Sequence, residues 1–316
     1  MRVANIVPPQ WEGRFPTGGY RMTLAPWVLK YNDYRVKASF LILDNGAFEG
    51  NQVSNEELFQ AAAYAGATEV VLPDVRGDPG ETLRTSWAAT STWCYEVSRL
   101  MFVPQARTEA DWDSCLKAWV KKWEEHNGSA THGLTIGVTC LRETTGTNAV
   151  VGSRLALALI AQQYDFPIHL LGAASTEQLV EEVKLEGIRG IDTSLAFALG
   201  AERTMLVPGA EKVFLKEPGD YSILDEQQMA LIRLNTYILQ YWFDVKRVTK
   251  YIPIELLRIA AGPNAPRSTF EYPVKALQKT GCRGEWAMCT KNALPVALWP
   301  LKWDNGGPRI TIIKEI

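Results

Sequence analysis

Histidine is scarce in this chain: His126, His132 and His169 are the only three in 316 residues. No Ser-His-Asp or Cys-His arrangement is apparent around them. His126 and His132 fall in an expected loop, where solvation is the ordinary fate. His169 falls inside an expected strand, where a satisfied core residue is commoner than a catalyst. Cysteine excludes more. The five, at 94, 115, 140, 282 and 289, are odd in number, and no pair has the Cys-x-x-Cys spacing. A structural zinc site is therefore not expected, and reduced thiols are. Long apolar runs are missing too: none reaches the roughly 18 uncharged residues that suggest a membrane-spanning helix. The apolar part of the first nine residues is too short for a signal peptide, so the expected location is cytoplasmic. The net charge of −2 gives no global attraction to polyanions, although a local basic surface can be offset by acids elsewhere. No Gly-x-Gly-x-x-Gly follows the first expected strand, which removes the dinucleotide fingerprint. Internal repeats and low-complexity tracts are absent. No cofactor and no metal are expected.

What is present is a regular beat. Residues 40–44, Phe-Leu-Ile-Leu-Asp, form an apolar run without alternation. Such a run reads as a strand buried on both faces, as in parallel sheets. It ends at Asp44-Asn45-Gly46, and Asn-Gly is a common turn pair. A carboxylate at the carboxyl end of a buried parallel strand is also where α/β enzymes place chemistry. The stretch alone does not choose between these readings. Residues 3–7 and 20–25 precede it as strands, the second stopped by Pro26, and 27–37 are short for a full helix. Ser54-x-x-Glu57 is a capping box for a helix that Gly66 ends. Then follow a strand over 68–74, a helix over 79–97, a strand over 100–105 and a helix over 109–125. The last carries Trp112, Leu116, Trp119, Val120 and Trp123 on one face. Strands are expected at 134–139, 167–172 and 188–194, with helices at 150–163 and from Ser175 to about 185 between them. Residues 195–219 read as irregular, and 225–243 as one strong helix closing the barrel. Most of the 11 tryptophans are expected in the core.

Eight short strands, most followed by a helix, predict an α/β chain folded as a (β/α)8 TIM barrel. The barrel is expected over 1–245, with a small C-terminal appendage, partly β, over 246–316. In such a barrel the strand carboxyl ends share one mouth, which holds the active site. The polar residues there are Asp44, Asp74, Gln105 and Asp192. Gly137 and Gly172 would let a planar ligand approach the backbone. Three carboxylates at one mouth repel unless a ligand or hydrogen bonds compensate, although each alone could cap a helix. The set suits a flat, hydrogen-bonding heterocycle, with one carboxylate left to attack or stabilise an anomeric carbon.

Residues 44–49, Asp-Asn-Gly-Ala-Phe-Glu, resemble the Asp-Ser-Gly-Gly-Phe-Gln motif of the tRNA-guanine transglycosylases. Leu72-Pro73-Asp74 and Val103-Pro104-Gln105 resemble that family's base-reading strands. Ile136-Gly137-Val138 resembles its glycine strand. The stretch from His169-Leu170-Leu171-Gly172 to Val180 resembles its Met-Gly-x-Gly strand and following helix. Gly190-Ile191-Asp192-Thr193-Ser194 resembles the strand bearing its nucleophile. The likeness spans residues 1–245 in architecture and is sharp only in these patches. The family's Cys-x-Cys-x-x-Cys zinc site is absent, and where relatives carry two acids two apart this chain has Asp192 alone. A compact, zinc-free form resembles the DpdA-type DNA 7-deazaguanine transglycosylases of phages and bacteria.

The resemblance implies exchange of guanine in DNA for a 7-deazaguanine base such as 7-cyano-7-deazaguanine. Asp192 would attack C1′, with Asp44 as general base, as second carboxylate or as the alternative nucleophile. Asp74, Gln105, Gly137, Leu171 and Gly172 would hold the base, and Phe48 would stack on it. The target base would have to be flipped or single-stranded. Lys246, Arg247, Lys250, Arg267 and Arg283 are candidates for phosphate contact, a solvated charged surface being the equal alternative for each. Three other readings stay open: the same reaction on tRNA, a non-catalytic barrel that binds nucleic acid, and an unrelated barrel enzyme.

Overall fold

In a computed structural model, eight parallel strands close into one barrel in chain order, β1 to β8, with β8 hydrogen-bonded back to β1. The structure describes residues 1–15, 18–31, 36–47, 52–93, 97–127, 133–141, 150, 153–173, 175–209, 218–248 and four short strands beyond them. The strands are β1 (Arg2–Asn5), β2 (Tyr20–Leu24), β3 (Phe40–Asp44), β4 (Glu69–Val71), β5 (Arg99–Phe102), β6 (Leu134–Val138), β7 (Ile168–Leu170) and β8 (Ile188–Thr193). The helices are α1 (Ala25–Lys30), α2 (Asn55–Ala65), α3 (Pro79–Thr92), α4 (Glu109–Asn127), α5 (Ser153–Ala161), α6 (Thr176–Glu182), α7 (Leu195–Ala201) and α8 (Glu226–Asp244). This is the (β/α)8 barrel that the alternation predicts. Of the expected appendage, residues 246–248 are described, together with the antiparallel pairs Trp286–Cys289 with Pro295–Leu298 and Trp303–Asp304 with Gly307–Pro308.

Three expectations are corrected. Residues 195–201 are helical, not irregular: all seven residues of α7 are buried, so no polar stripe betrays the helix. Pro26 does not merely stop β2. It sits in the first turn of α1, where a missing N–H costs nothing. His126 lies in the last turn of α4, not in a loop. Its ring meets Trp87 edge-on at 4.8 Å, and its Nδ1 lies 2.8 Å from the Lys122 carbonyl oxygen.

The chain divides into two compact units. The first, Met1–Gly13, Thr17–Gly172 and Leu185–Thr193, contains all eight barrel strands. Its interior follows the period of two along each strand. Ala4, Tyr20, Met22, Ile42, Val71, Met101 and Val103 form one buried cluster, joined by Ile6, Phe40 and Leu171. Outside the strands, Trp112, Trp119 and Trp123 of α4 are buried. Trp119 stacks on Phe102 of β5 with ring centres 4.2 Å apart. Truncating a side chain buried to this degree costs about 3–5 kcal/mol. Ser54 and Glu57 make the reciprocal bonds of a capping box, and Gly66 ends α2 at φ +66°.

The second unit, Arg14–Pro16, Ala173–Lys184 and Ser194–Ile316, contains α6, α7 and α8. Gly200 lets α7 and α8 approach closely: a Cβ there would lie 2.6 Å from the Ile232 backbone nitrogen. Buried Asn235 ties the segment after α7 to α8, accepting from the Leu206 N–H and donating to the Ala196 and Thr204 carbonyls. Among the described residues no helix is long and apolar enough to cross a membrane.

Candidate active site

The residues that end β3, β4, β5, β7 and β8 share the carboxyl-terminal mouth of the barrel, and all belong to the first unit. Phe40 and Ile42 face the interior cluster, so Asp44, two residues on, continues the same inward face. Its carboxylate accepts the Gly46 N–H at 2.7 Å, and the Asn45 side chain accepts the Ala47 N–H at 2.7 Å. Gly46 has φ +80°, which glycine adopts without strain. The turn and the site are thus one object: the turn that reverses the chain also fixes both polar side chains. Phe48 lies outside the described residues.

Asn45 does more than turn the chain. It is buried, and its amide donates to the Leu72 carbonyl at 2.8 Å and to Asp74 Oδ1 at 3.2 Å. The other oxygen of Asp74 accepts from Gln105 Nε2 at 2.5 Å. Asn45, Asp74 and Gln105 therefore form one bridge across the ends of three successive strands. α3 holds the loop beneath it. Ser86 donates to the Pro73 carbonyl at 2.6 Å, and the Thr82 hydroxyl both accepts from the Val75 N–H and donates to its carbonyl. Burial pushes the Asp74 carboxyl above the usual carboxylate range, and the bonds from Asn45 and Gln105 oppose that rise. A group in this condition is costly to keep ionised and ready to meet donors on a ligand.

Asp192 stands apart from that bridge, near the end of β8. Gly190 precedes it by two and faces inward, since a Cβ there would lie 2.6 Å from the Tyr20 ring; Asp192 shares that face. It is buried, and both its oxygens accept from the Gly172 N–H, at 3.2 and 3.1 Å. Oδ1 also lies 3.1 Å from Nε2 of His169. Gly172 has φ +70° and open space where a Cβ would be. At Gly137 the space is filled instead: a Cβ would lie 2.8 Å from Val103 Cγ2 and 3.0 Å from Leu171 Cδ1 and Met101 Sδ. The close approach that this glycine permits is made by three apolar side chains.

His169 is the neighbour of Asp192 that its strand position hides. A satisfied core histidine is a fair description, yet one of its partners is Asp192 and the other is the Tyr20 hydroxyl, at 2.8 Å. Both contacts span distant segments, so spacing carries no signal for them. A signal does exist for the layer beneath: Glu69, Arg99 and Arg189 are charges inside otherwise apolar strands. Glu69 is fully buried and paired with Arg189 through both carboxylate oxygens, with Arg99 Nε at 3.5 Å and Thr135 also bonded to it.

Of the candidate phosphate contacts, Lys246 and Arg247 follow α8 directly and are exposed, and their backbone N–H groups cap its last carbonyls. Cations there suit the helix dipole. Lys250, Arg267 and Arg283 lie outside the described residues. Among the described residues no group of three or more His, Cys, Asp or Glu side chains could hold a metal ion. No protein-family model and no curated protein matches this chain.

Proposed function

We propose that the chain is a base-exchange transglycosylase that replaces guanine in DNA with a 7-deazaguanine. The observation that carries this reading is the division of labour at the mouth. One carboxylate, Asp192, is oriented by a backbone amide and an imidazole, while a second, Asp74, is bridged to an amide side chain that can read a heterocycle edge. A guanine edge offers two donors, N1–H and the 2-amino group, and a carboxylate accepts both. Gln105 supplies a donor and an acceptor to the same edge.

In this reading Asp192 attacks C1′ of a flipped or single-stranded nucleotide. The new bond is an ester between its carboxylate oxygen and C1′. The C1′–N9 bond breaks, its electron pair leaves with guanine, and the purine takes up one proton. The incoming 7-deazaguanine then loses its N9 proton and attacks C1′, which returns the carboxylate. Asp44 is the acid–base partner that gives the first proton and takes the second. No oxidant, reductant or metal is required for the balance.

The test is to incubate the full chain with DNA carrying labelled guanine and a set of 7-deazaguanines, then measure label release and analyse the nucleosides by mass spectrometry. Expected is release that depends on the added base, one inserted base per label lost, and none with Asp192→Asn. Equal label loss in the wild type and Asp192→Asn would sink the reading. Faster exchange into tRNA in a competition would move the reaction to RNA, and DNA binding without exchange under any base would make the barrel a binding subunit.

A further inference from the structure

The two donors that orient Asp192 are each backed by a residue that reaches no mouth. Behind His169 stands Tyr20, and behind Tyr20 stands Arg189, whose Nε lies 3.2 Å from the tyrosine hydroxyl. Guanidinium nitrogens only donate. The Tyr20 oxygen therefore accepts from Arg189, and its single hydrogen is directed to Nδ1 of His169, 2.8 Å away. Nδ1 must then be the unprotonated nitrogen, which leaves the ring proton on Nε2, facing Asp192 Oδ1 at 3.1 Å. Behind Gly172 the logic repeats in backbone form. Its N–H belongs to the same peptide unit as the Leu171 carbonyl, and that carbonyl accepts from buried Arg154 of α5.

We propose that Asp192 is held by two donors of fixed polarity, His169 Nε2–H and Gly172 N–H, each locked from behind by an arginine, and that His169 is a positioning residue rather than an acid or base. The naming of Asp192 as the attacking group rests on the function proposed above; the tautomer of His169 does not. A second proton on His169 would have to enter at Nδ1, where it would turn the Tyr20 hydrogen away. Losing the tyrosine proton instead is opposed by burial, which pushes the Tyr20 phenol well above its ordinary value. The charged groups around the pair are Arg189 and Asp192 from β8, Glu69 from β4 and Arg99 from β5, with Arg2 of β1 over the Tyr20 ring at 5.8 Å.

With only three histidines, the tautomer can be read directly. The full chain is labelled with nitrogen-15 in histidine, and two-bond proton–nitrogen spectra are recorded at neutral pH. His169→Gln assigns the signal. Expected is one imidazole in the Nε2–H form, with Nδ1 unprotonated beside the Tyr20 hydroxyl. Tyr20→Phe, which removes one oxygen, should shift the Nδ1 resonance, while the Nε2 proton stays with the Asp192 carboxylate, which only accepts. A His169 ring in the Nδ1–H form overturns the proposal, and the wild-type spectrum alone is enough to do so. In the exchange assay His169→Ala should lower kcat by about a hundredfold with little change in KM, the cost of a misplaced reacting group. His169→Gln, whose amide can donate from a similar place, should recover most of it. An unrecovered glutamine variant would count against positioning. A wild type with the expected spectrum but no exchange would fail the function and leave the lock standing.

Discussion

At the amino-terminal end of the barrel, buried Glu69 meets Arg189 through both oxygens and has Arg99 and Thr135 beside it. At the carboxyl-terminal end, Asp74 and Asp192 accept from an asparagine, a glutamine, a backbone amide and an imidazole, and among the described residues no arginine or lysine bonds to either. The first arrangement neutralises its carboxylate; the second orients carboxylates without spending their charge. An acid matched to guanidinium has little left for a substrate, whereas one held by amide and imidazole groups, with Arg76 acting on Asp74 only through its charge, can still attack carbon or accept from a base edge. The ends are joined by Tyr20 and His169, which pass the polarity of the Arg189 Nε–H to Asp192.

Substituting each end in turn can break this contrast. The largest effect on chemistry should come from Asp192→Asn: at least a thousandfold loss of exchange, roughly the loss of a nucleophile, with a melting temperature near that of the wild type. Glu69→Gln should do the reverse. It strips a buried ion cluster of its carboxylate and should cost about 3–5 kcal/mol of stability by urea denaturation. Activity per folded molecule should survive. An active-site phenotype for Glu69→Gln without destabilisation would erase the distinction between the ends.

Gln105→Ala should weaken affinity for the free base by about tenfold to a hundredfold, an unpaired polar edge being costly, while leaving Asp192 oriented. Asp74 sharpens the point through pH. Its carboxyl titrates above the usual range because of burial. A raised folded value favours the folded state most at pH below the unfolded value of about 3.9, and that contribution is lost as pH rises through the folded value. Base affinity should run the other way, rising as Asp74 ionises. Titrations of base binding across this range should show the rise in the wild type and none in Asp74→Asn. The smallest effect is expected away from both ends: Ser54→Ala removes the α2 cap and should cost about 1 kcal/mol, with exchange unchanged.

Much of this molecule is legible along the chain. Apolar runs without alternation mark the strands, Ser54 and Glu57 mark the start of α2, and acids at strand ends mark the mouth. What escapes notice has a physical reason in each case. α7 is buried on every side and so shows no amphipathic stripe. Pro26 reads as a stop because a first-turn proline and a terminator look alike without neighbours. Asn45 reads as a turn residue because its bonds to Leu72 and Asp74 cross 27 and 29 positions.

Local chemistry along the chain, the period of two in strands and the caps of helices, was enough to set eight strands in order and to bring Asp44, Asp74, Gln105 and Asp192 to one end of them. Those signals act over a few residues, where spacing is informative. The choice of which donor faces which acid was made by closure of the barrel. It brought Tyr20 to His169 across 149 positions and Arg189 to Glu69 across 120. A hydrogen bond depends on distance in space, and only the closed sheet converts chain order into that distance.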